Sequence, residues 1–417
     1  LTLADAVALA SGGAPAVQLA DLRAREAVDR VGQARASLLP QLTGTASAVN
    51  RTYNFEAQGI QFPKLPGVPA VGPVIGPLDN VDARVTVRQS LVDLSAWQRL
   101  RAADRFADAG REDLASSAEA AAQAAALAYL RAARAQALVG ARQADLDLSR
   151  ELLELAREQQ AAGTSPAIDT TRAGTQVAAA RGALVLAENQ LERARIDLAR
   201  TLGLDPSTPL ALADTLGEGL GASDAPQDPA AAVTFALAHR AELPAEQARL
   251  ARARAQRSAI ALERLPRLEA EADWGDNGQH TSDWLATRQY GVALTLPLVD
   301  GFGREARLAE QARTVAESEV RARDLRDQVA AEVRGALLDL ESGREQLAIA
   351  ADRLRLAAEE VAQARERFTN GVAGNIEVIT AQASLLDARN ADIDARYAAA
   401  AARVTLARAA GVARAVR

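Results

Sequence analysis

From residue 329 onward an apolar or small side chain returns every three or four positions. The series is Val329, Val333, Ala336, Leu340, Gly343, Leu347, Ala350, Leu354, Ala357, Val361, Ala364 and Phe368. Alternating steps of four and three form a heptad seam, the mark of a helix packed along another helix. A second seam follows at Ile376, Ile379, Ala383, Leu386, Asn390, Ile393, Tyr397, Ala400, Val404 and Ala407. Between them stand Thr369, Asn370, Gly371, Val372, Ala373, Gly374 and Asn375. Gly and Asn suit a left-handed helix end, so the two seams predict an antiparallel helical hairpin with a short turn.

The first half carries the same pattern. Ala125, Ala132, Val139, Leu146 and Leu153 recur every seven residues, and Gly163 and Pro166 mark a turn. The return helix sets Val177, Ala180, Leu184, Ala187, Leu191, Ala194 and Leu198 on one face. Placing Gly163 on Gly371 aligns the hairpins at an offset of 208, and an acid follows each glycine by six residues, Asp169 and Glu377. Upstream, Leu39-Pro40-Gln41-Leu42 matches Leu265-Pro266-Arg267-Leu268, and Leu91-Val92-Asp93 matches Leu298-Val299-Asp300. These correspondences predict an internal duplication.

Between the markers the period changes to two. Val81, Ala83, Val85, Val87, Gln89 and Leu91 alternate with Asp82, Arg84, Thr86, Arg88 and Ser90. Leu268, Ala270, Ala272 and Trp274 alternate with Arg267, Glu269, Glu271 and Asp273. Tyr290, Val292, Leu294, Leu296 and Leu298 alternate with small or polar residues, while 41–55 alternates less cleanly. Each half thus predicts a two-stranded hairpin with one apolar and one polar face. The first hairpin carries an insert from Phe62 through Lys64 to Pro77, too rich in proline to read as strand.

Each half therefore reads helix, strand, strand, long helix, turn, long helix. We expect a first structural repeat over 1–202, a Gly/Pro-rich linker or equatorial segment over 203–228, and a second repeat over 229–417. The longest helices, about 94 to 160 and 304 to 368, avoid proline, whose interior cost is ~3 kcal/mol. Each would be ~100 Å long.

Composition narrows the function. There is no cysteine and no methionine, aromatics are 3%, and alanine dominates a 49% hydrophobic chain. Zero cysteine removes thiol nucleophiles, disulfides and zinc-thiolate sites, and only His239 and His280 offer imidazole. No metal site or other cofactor is expected. The 48 basic and 54 acidic residues leave −6, the wrong sign for a general nucleic-acid binder. Gly301-Phe302-Gly303-Arg304 lacks the third glycine of a nucleotide fingerprint, and no carboxylate pair stands out as catalytic. The chain does not read as an enzyme. The start at Leu1 leads us to expect a trimmed sequence, from which a signal peptide or lipid anchor cannot be read. No uninterrupted apolar stretch of ~18 residues is present, but a β-barrel spans a membrane with short alternating strands.

Four amphipathic strands cannot close a barrel, for which about eight is the practical minimum. Several chains together can. The sequence resembles the TolC family of bacterial outer-membrane channel-tunnels. The resemblance rests on the opening Leu1-Thr2-Leu3-Ala4-Asp5-Ala6-Val7, both Leu-Pro-x-Leu strand entries, and the run from Leu298 to Arg304. The tip from Arg367 to Gly371 and the following Ile376-Glu377-Val378-Ile379-Thr380-Ala381-Gln382 complete it. Nearly the whole chain is covered. The resemblance implies a mainly α fold with a β-barrel contribution. Three copies would make a twelve-stranded barrel joined to a periplasmic α-helical barrel. It implies the exit duct of a tripartite efflux or type I secretion system, with a periplasmic adaptor, an inner-membrane pump and outer-membrane lipid as partners.

The same resemblance implies site residues. Acids past the second tip form a constriction in the family. Glu377 matches the first acid and Thr380 replaces the second, so three copies would carry a weaker ring. Asp169 matches an acidic position at the first tip. The family's polar latch would need a tyrosine and an arginine where this chain has Phe368 and Ala373, so the same latch cannot form. Gly163, Thr164, Ser165, Gly371, Val372 and Ala373 would face the adaptor. Tyr53, Trp274, Trp284 and Tyr290 are expected at the barrel's membrane interfaces. The plainer reading of Asp169 and Glu377 is dipole compensation in the first turn of a helix, and of Thr380 ordinary helix surface. Asn390 could set register or line an aqueous lumen. A soluble coiled-coil scaffold at a membrane is the rival to the channel; it leaves the four strands without a purpose.

Overall fold

The computed structural model describes residues 1–59, 66–67, 72–217, 219–370, 372 and 374–417. Gly371 and Ala373, and Phe62 and Lys64 of the insert, lie outside the described residues. Helices α1 (Leu3–Gly13) and α2 (Pro15–Ala36) lead into strands β1 (Gln41–Asn54) and β2 (Val74–Val92). Helices α3 (Leu94–Ala161) and α4 (Ala167–Thr201) follow. The second half gives α5 (Pro229–His239), α6 (Glu242–Leu262), β3 (Arg267–Gly278), β4 (Leu285–Thr295), α7 (Gly303–Thr369) and α8 (Asn375–Ala409). The order of helices and strands is therefore the same twice. α3 and α7 have 68 and 67 residues, and α4 and α8 have 35 each.

Two helices, not one, precede each strand pair. Ala14 is extended (ψ 144°) because it precedes Pro15, and α1 stops there. Thr2 and Asp5 close the start of α1 with a reciprocal capping box. Leu3–Ala36 taken together is long and apolar enough to cross a membrane by composition alone. Its Leu3, Ala6, Val7, Ala10 and Val17 are instead buried in a protein core.

The chain divides into two compact units. One comprises Leu1–Arg25, Asp108–Gln247 and Val320–Arg417; the other comprises Glu26–Ala107 and Ala248–Glu319. In the first unit the α7 seam is buried as expected, except that Leu347 and Leu354 are half-buried. The α4 seam packs Ala180 and Leu184 on Leu146 of α3. The expected α8 seam is buried toward its end, at Ala400, Val404 and Ala407, but the buried side is shifted by one residue near its start. Near its start the buried side is Asn375, Val378, Ala381, Gln382, Leu385 and Ala388, whereas Ile376 is 58% exposed and Ala383 is exposed. The buried stripe is fixed by the helices that α8 meets, α7 and α3, and both stripes are apolar enough to serve. The segment 203–228 forms no helix or strand among the described residues. Hydrogen bonds to residues within it hold it down: Leu1 N donates to Ala211 O (2.9 Å), and Arg417 N donates to Ala222 O (3.1 Å). The Tyr129 hydroxyl, fully buried, bridges Leu1 O and Asp214 Oδ2 at 3.0 Å each.

The second unit holds one antiparallel sheet in the order β1-β2-β3-β4. Two strand ends differ from expectation. β2 runs through Pro77, because a register shift between Arg51 and Tyr53 forms a bulge there and β3 pairs with β2 only from Val81. Pro77 therefore sits on an edge beside a bulge, where a missing N–H is tolerated. β4 stops at Thr295, so Leu296 and Leu298 leave the ladder at Pro297.

Candidate functional site

The matched Leu-Val-Asp triplets sit where strand becomes long helix, and the aspartates explain them. Asp93 Oδ1 accepts from Ala96 N (2.9 Å) and Ser95 Oγ (2.6 Å), and Asp300 Oδ2 accepts from Arg304 N (2.9 Å). Each carboxylate satisfies otherwise orphaned first-turn N–H groups. The apolar residues of this elbow are left outside: Leu298, Val299 and Phe302 are 81%, 85% and 78% exposed. Phe302 holds φ +65°, the left-handed region, alone among the described non-glycine residues.

The pairing register separates the two faces of the sheet. Thr86 stands opposite Thr43 and Asp273, and Arg88 opposite Gln41 and Glu271. This polar face is crossed by ion pairs: Arg84 with Asp82 and with Asp273 (3.1 Å), and Arg88 with Glu271 (3.0 Å). The other face carries Leu42, Val85, Val87, Ala272, Trp274, Tyr290, Val292 and Leu294. Trp274 and Tyr290 are 73% and 77% exposed. Trp284 lies in the turn between β3 and β4 and is also exposed. Tyr53 stands on the polar face, two residues from Arg51, whose Nη1 donates to its hydroxyl at 3.1 Å. The bulge is carried by β2, so β1 keeps its alternation and Tyr53 parts from Trp274 and Tyr290.

Both helical turns belong to the first unit and share one hydrogen-bond pattern. Thr164 N donates to Gln159 O, and Val372 N to Arg367 O, both at 2.9 Å; this is the bond that closes a Schellman helix end. Gly163, at φ +72°, supplies the left-handed residue of the first turn. Thr164 Oγ1 also donates to Gln159 O, and Ser165 Oγ donates to Asp169 Oδ2 (2.9 Å). Asp169 is buried, and its own carbonyl accepts from Asn375 Nδ2 across to α8 (3.0 Å). Phe368, 3% exposed, packs with Leu152, Val378 and Ala381. Glu377 pairs with Arg367 at 3.1 Å and is partly exposed. Thr380 is exposed and donates to Ile376 O, as a helix-surface threonine does. Val372 is 71% exposed.

Sequence reasoning missed the polar residues inside this core. Gln382 Nε2 donates to Ser149 Oγ (2.8 Å) and Asp145 Oδ1 (3.3 Å), all three buried and joining α8 to α3. Burial pushes the Asp145 carboxyl above its usual range, against the hydrogen bond from Gln382. The signal was available: Gln382 lies on the stripe with Val378 and Leu385, once that stripe is known to be the buried one. Arg367 was legible only as part of the tip motif, not as the partner of Glu377.

An exposed apolar sheet face backed by a charged one, with helical hairpins far too long for an ordinary core, defines a membrane channel protein. The family model for "outer membrane efflux protein" matches residues 7–204 and 233–412. Protein CyaE of Bordetella pertussis is 27% identical over 93% of this chain and 79% of its own. The outer membrane channel CmeC of Campylobacter jejuni shares the fold with a TM-score of 0.81 at 17% identity, over 99% of this chain and 86% of its own. The outer membrane channel MtrE of Neisseria gonorrhoeae, in its open state, gives 0.80 at 18% identity, over 100% and 90%. The chain belongs to the outer membrane efflux protein family. It is an outer-membrane channel and not an enzyme.

Proposed function

We propose that three copies of this chain close their sheets into a twelve-stranded barrel in the outer membrane and their hairpins into a periplasmic duct. The duct passes substrates delivered by an inner-membrane pump through a periplasmic adaptor. The observation that carries this reading is the sheet. It leaves β1 and β4 as free edges, and it exposes Trp274, Tyr290, Val292 and Leu294, each at 65% or more, on one side. Closure removes the edges, and lipid covers the apolar side. The ion-paired polar face then lines water. Leu298, Val299 and Phe302, exposed at the elbow, fit the membrane interface on the periplasmic side.

An internal duplication underlies the chain: 1–202, an equatorial segment 203–228, and 229–417. It is supported by the offset of 208 that holds through the second helix of each hairpin. α4 and α8 begin and end 208 residues apart, and so do the left-handed glycines that follow them, Gly203 and Gly411. At the tip, Glu377 and Asp169 with Thr380 and Phe368 make the constriction. The turns at Gly163, Thr164, Ser165, Gly371, Val372 and Ala373 face the adaptor. The ion pair to Arg367 leaves the Glu377 ring weaker than its carboxylates alone.

The test is reconstitution. Detergent-purified protein in planar bilayers should give stepwise ion conductance. A protein that is water-soluble without detergent and gives no conductance would sustain the scaffold reading instead.

A further inference from the structure

In the second unit one aromatic ring holds two cations from two different helices. The Arg252 guanidinium of α6 lies 4.3 Å from the centroid of Phe106 on α3, and the Arg30 guanidinium of α2 lies 5.4 Å from it. Arg30 is paired at 2.6 Å with Glu26, one turn earlier on its own helix. Arg252 is half-buried and has no ion-pair partner among the described residues. Burial first, and the charge of Arg30 second, depress its pKa. The ring offsets part of that cost through a cation–π contact. It cannot offset the repulsion between the two guanidiniums, which a shared anion would turn into attraction.

We propose that Arg252 and Arg30, seated on Phe106, form a binding site for a soluble oxyanion of the phosphate class. Guanidinium forks match the geometry of phosphate oxygens, and the half-buried setting of Arg252, beside the exposed Arg30, strengthens its charge-assisted hydrogen bonds. Position excludes the membrane as the source. Phe106 lies twelve residues beyond Leu94, ~18 Å along α3 from the end of the sheet. The headgroup layer is only about 5–8 Å deep on each side of the bilayer core. The ligand is therefore a solute of the periplasm and not a lipid headgroup. Barrel closure and trimer formation are not required, because all three residues belong to one chain and one compact unit.

The experiment is a thermal melt of the detergent-purified channel, with inorganic phosphate titrated against chloride at constant ionic strength. Wild type should show a saturable rise in Tm, and Arg252→Gln should abolish it. Arg252→Lys keeps the charge but loses the fork, and should weaken the apparent affinity about tenfold. Glu26→Gln frees Arg30 and should tighten binding several-fold, a gain that misfolding cannot imitate. No saturable response in wild type overturns the proposal, and so does an equal response in Arg252→Gln. If Arg252→Gln fails to fold, Glu26→Gln decides: an unchanged or weaker affinity overturns it.

Discussion

At Glu242, the first residue of α6, two opposing effects meet. Burial pushes the carboxyl up, but a hydrogen bond from Arg408 (2.5 Å) and the charges of Arg408 and Arg240 bring it down to about 2. Arg240 is itself buried, and bridges Glu242 (3.1 Å) and Glu332 (2.6 Å). A carboxyl depressed from 4.5 to about 2 stabilises the fold above its unfolded pKa, and the contribution is lost as pH falls through that interval. Its size is ~3 kcal/mol. Glu242→Gln should therefore melt at a lower temperature than wild type above pH 5, and the difference should vanish toward pH 2. At the tip, the pair Arg367–Glu377 sets a different prediction, for the pore. Arg367→Ala should raise cation selectivity by freeing the carboxylates, and Glu377→Ala should lower it. Reversal potentials in a salt gradient that stay unchanged in both variants would remove Glu377 from the constriction.

Among the elements, α7 comes close to α8 at Gly343. A Cβ built on Gly343 would lie 3.3 Å from Ala399 Cα, so the seam there is glycine against alanine backbone. Small residues let the axes come together, and a larger side chain must push them apart. Gly343→Leu should cost about 1–3 kcal/mol, read as an earlier loss of helical circular dichroism on heating. Gly140, which meets nothing within 4 Å, is the control position on α3. The heptad pattern made these helices legible because periodicity is a local property of a sequence. Their packing stripes were less so. On α8 the expected face through Ile376 and Ala383 is exposed, and the neighbouring face through Val378 and Leu385 is buried. An alanine-rich helix is nearly apolar on all sides, so only its neighbours decide which side is inside.

For the whole molecule, four strands and two free edges call for partners. The purified protein should run as a detergent-bound trimer, and crosslinks should join β1 of one copy to β4 of the next. A monomer with uncoupled edges would end the barrel proposal. The composition also makes sense at this scale. The three tryptophans are Trp97, Trp274 and Trp284, all in or beside the strand segments, while the long seams use alanine. Aromatics suit membrane interfaces, and small side chains suit close-packed helices.

The sequence by itself determined the two hairpins, the turn at Gly163, the four alternating strands and the matched Leu-Val-Asp triplets between strand and long helix. Each rests on spacing or on a residue with one local role. Tertiary structure decided the rest. It moved the buried stripe at the start of α8 by one residue, placed Tyr53 on the polar face and let β2 run through Pro77. It also buried Gln382 against Asp145 and brought Arg252 and Arg30 to one ring. These depend on which segments meet, and the free energy of a buried contact belongs to both partners, whose separation along the chain leaves no periodic trace.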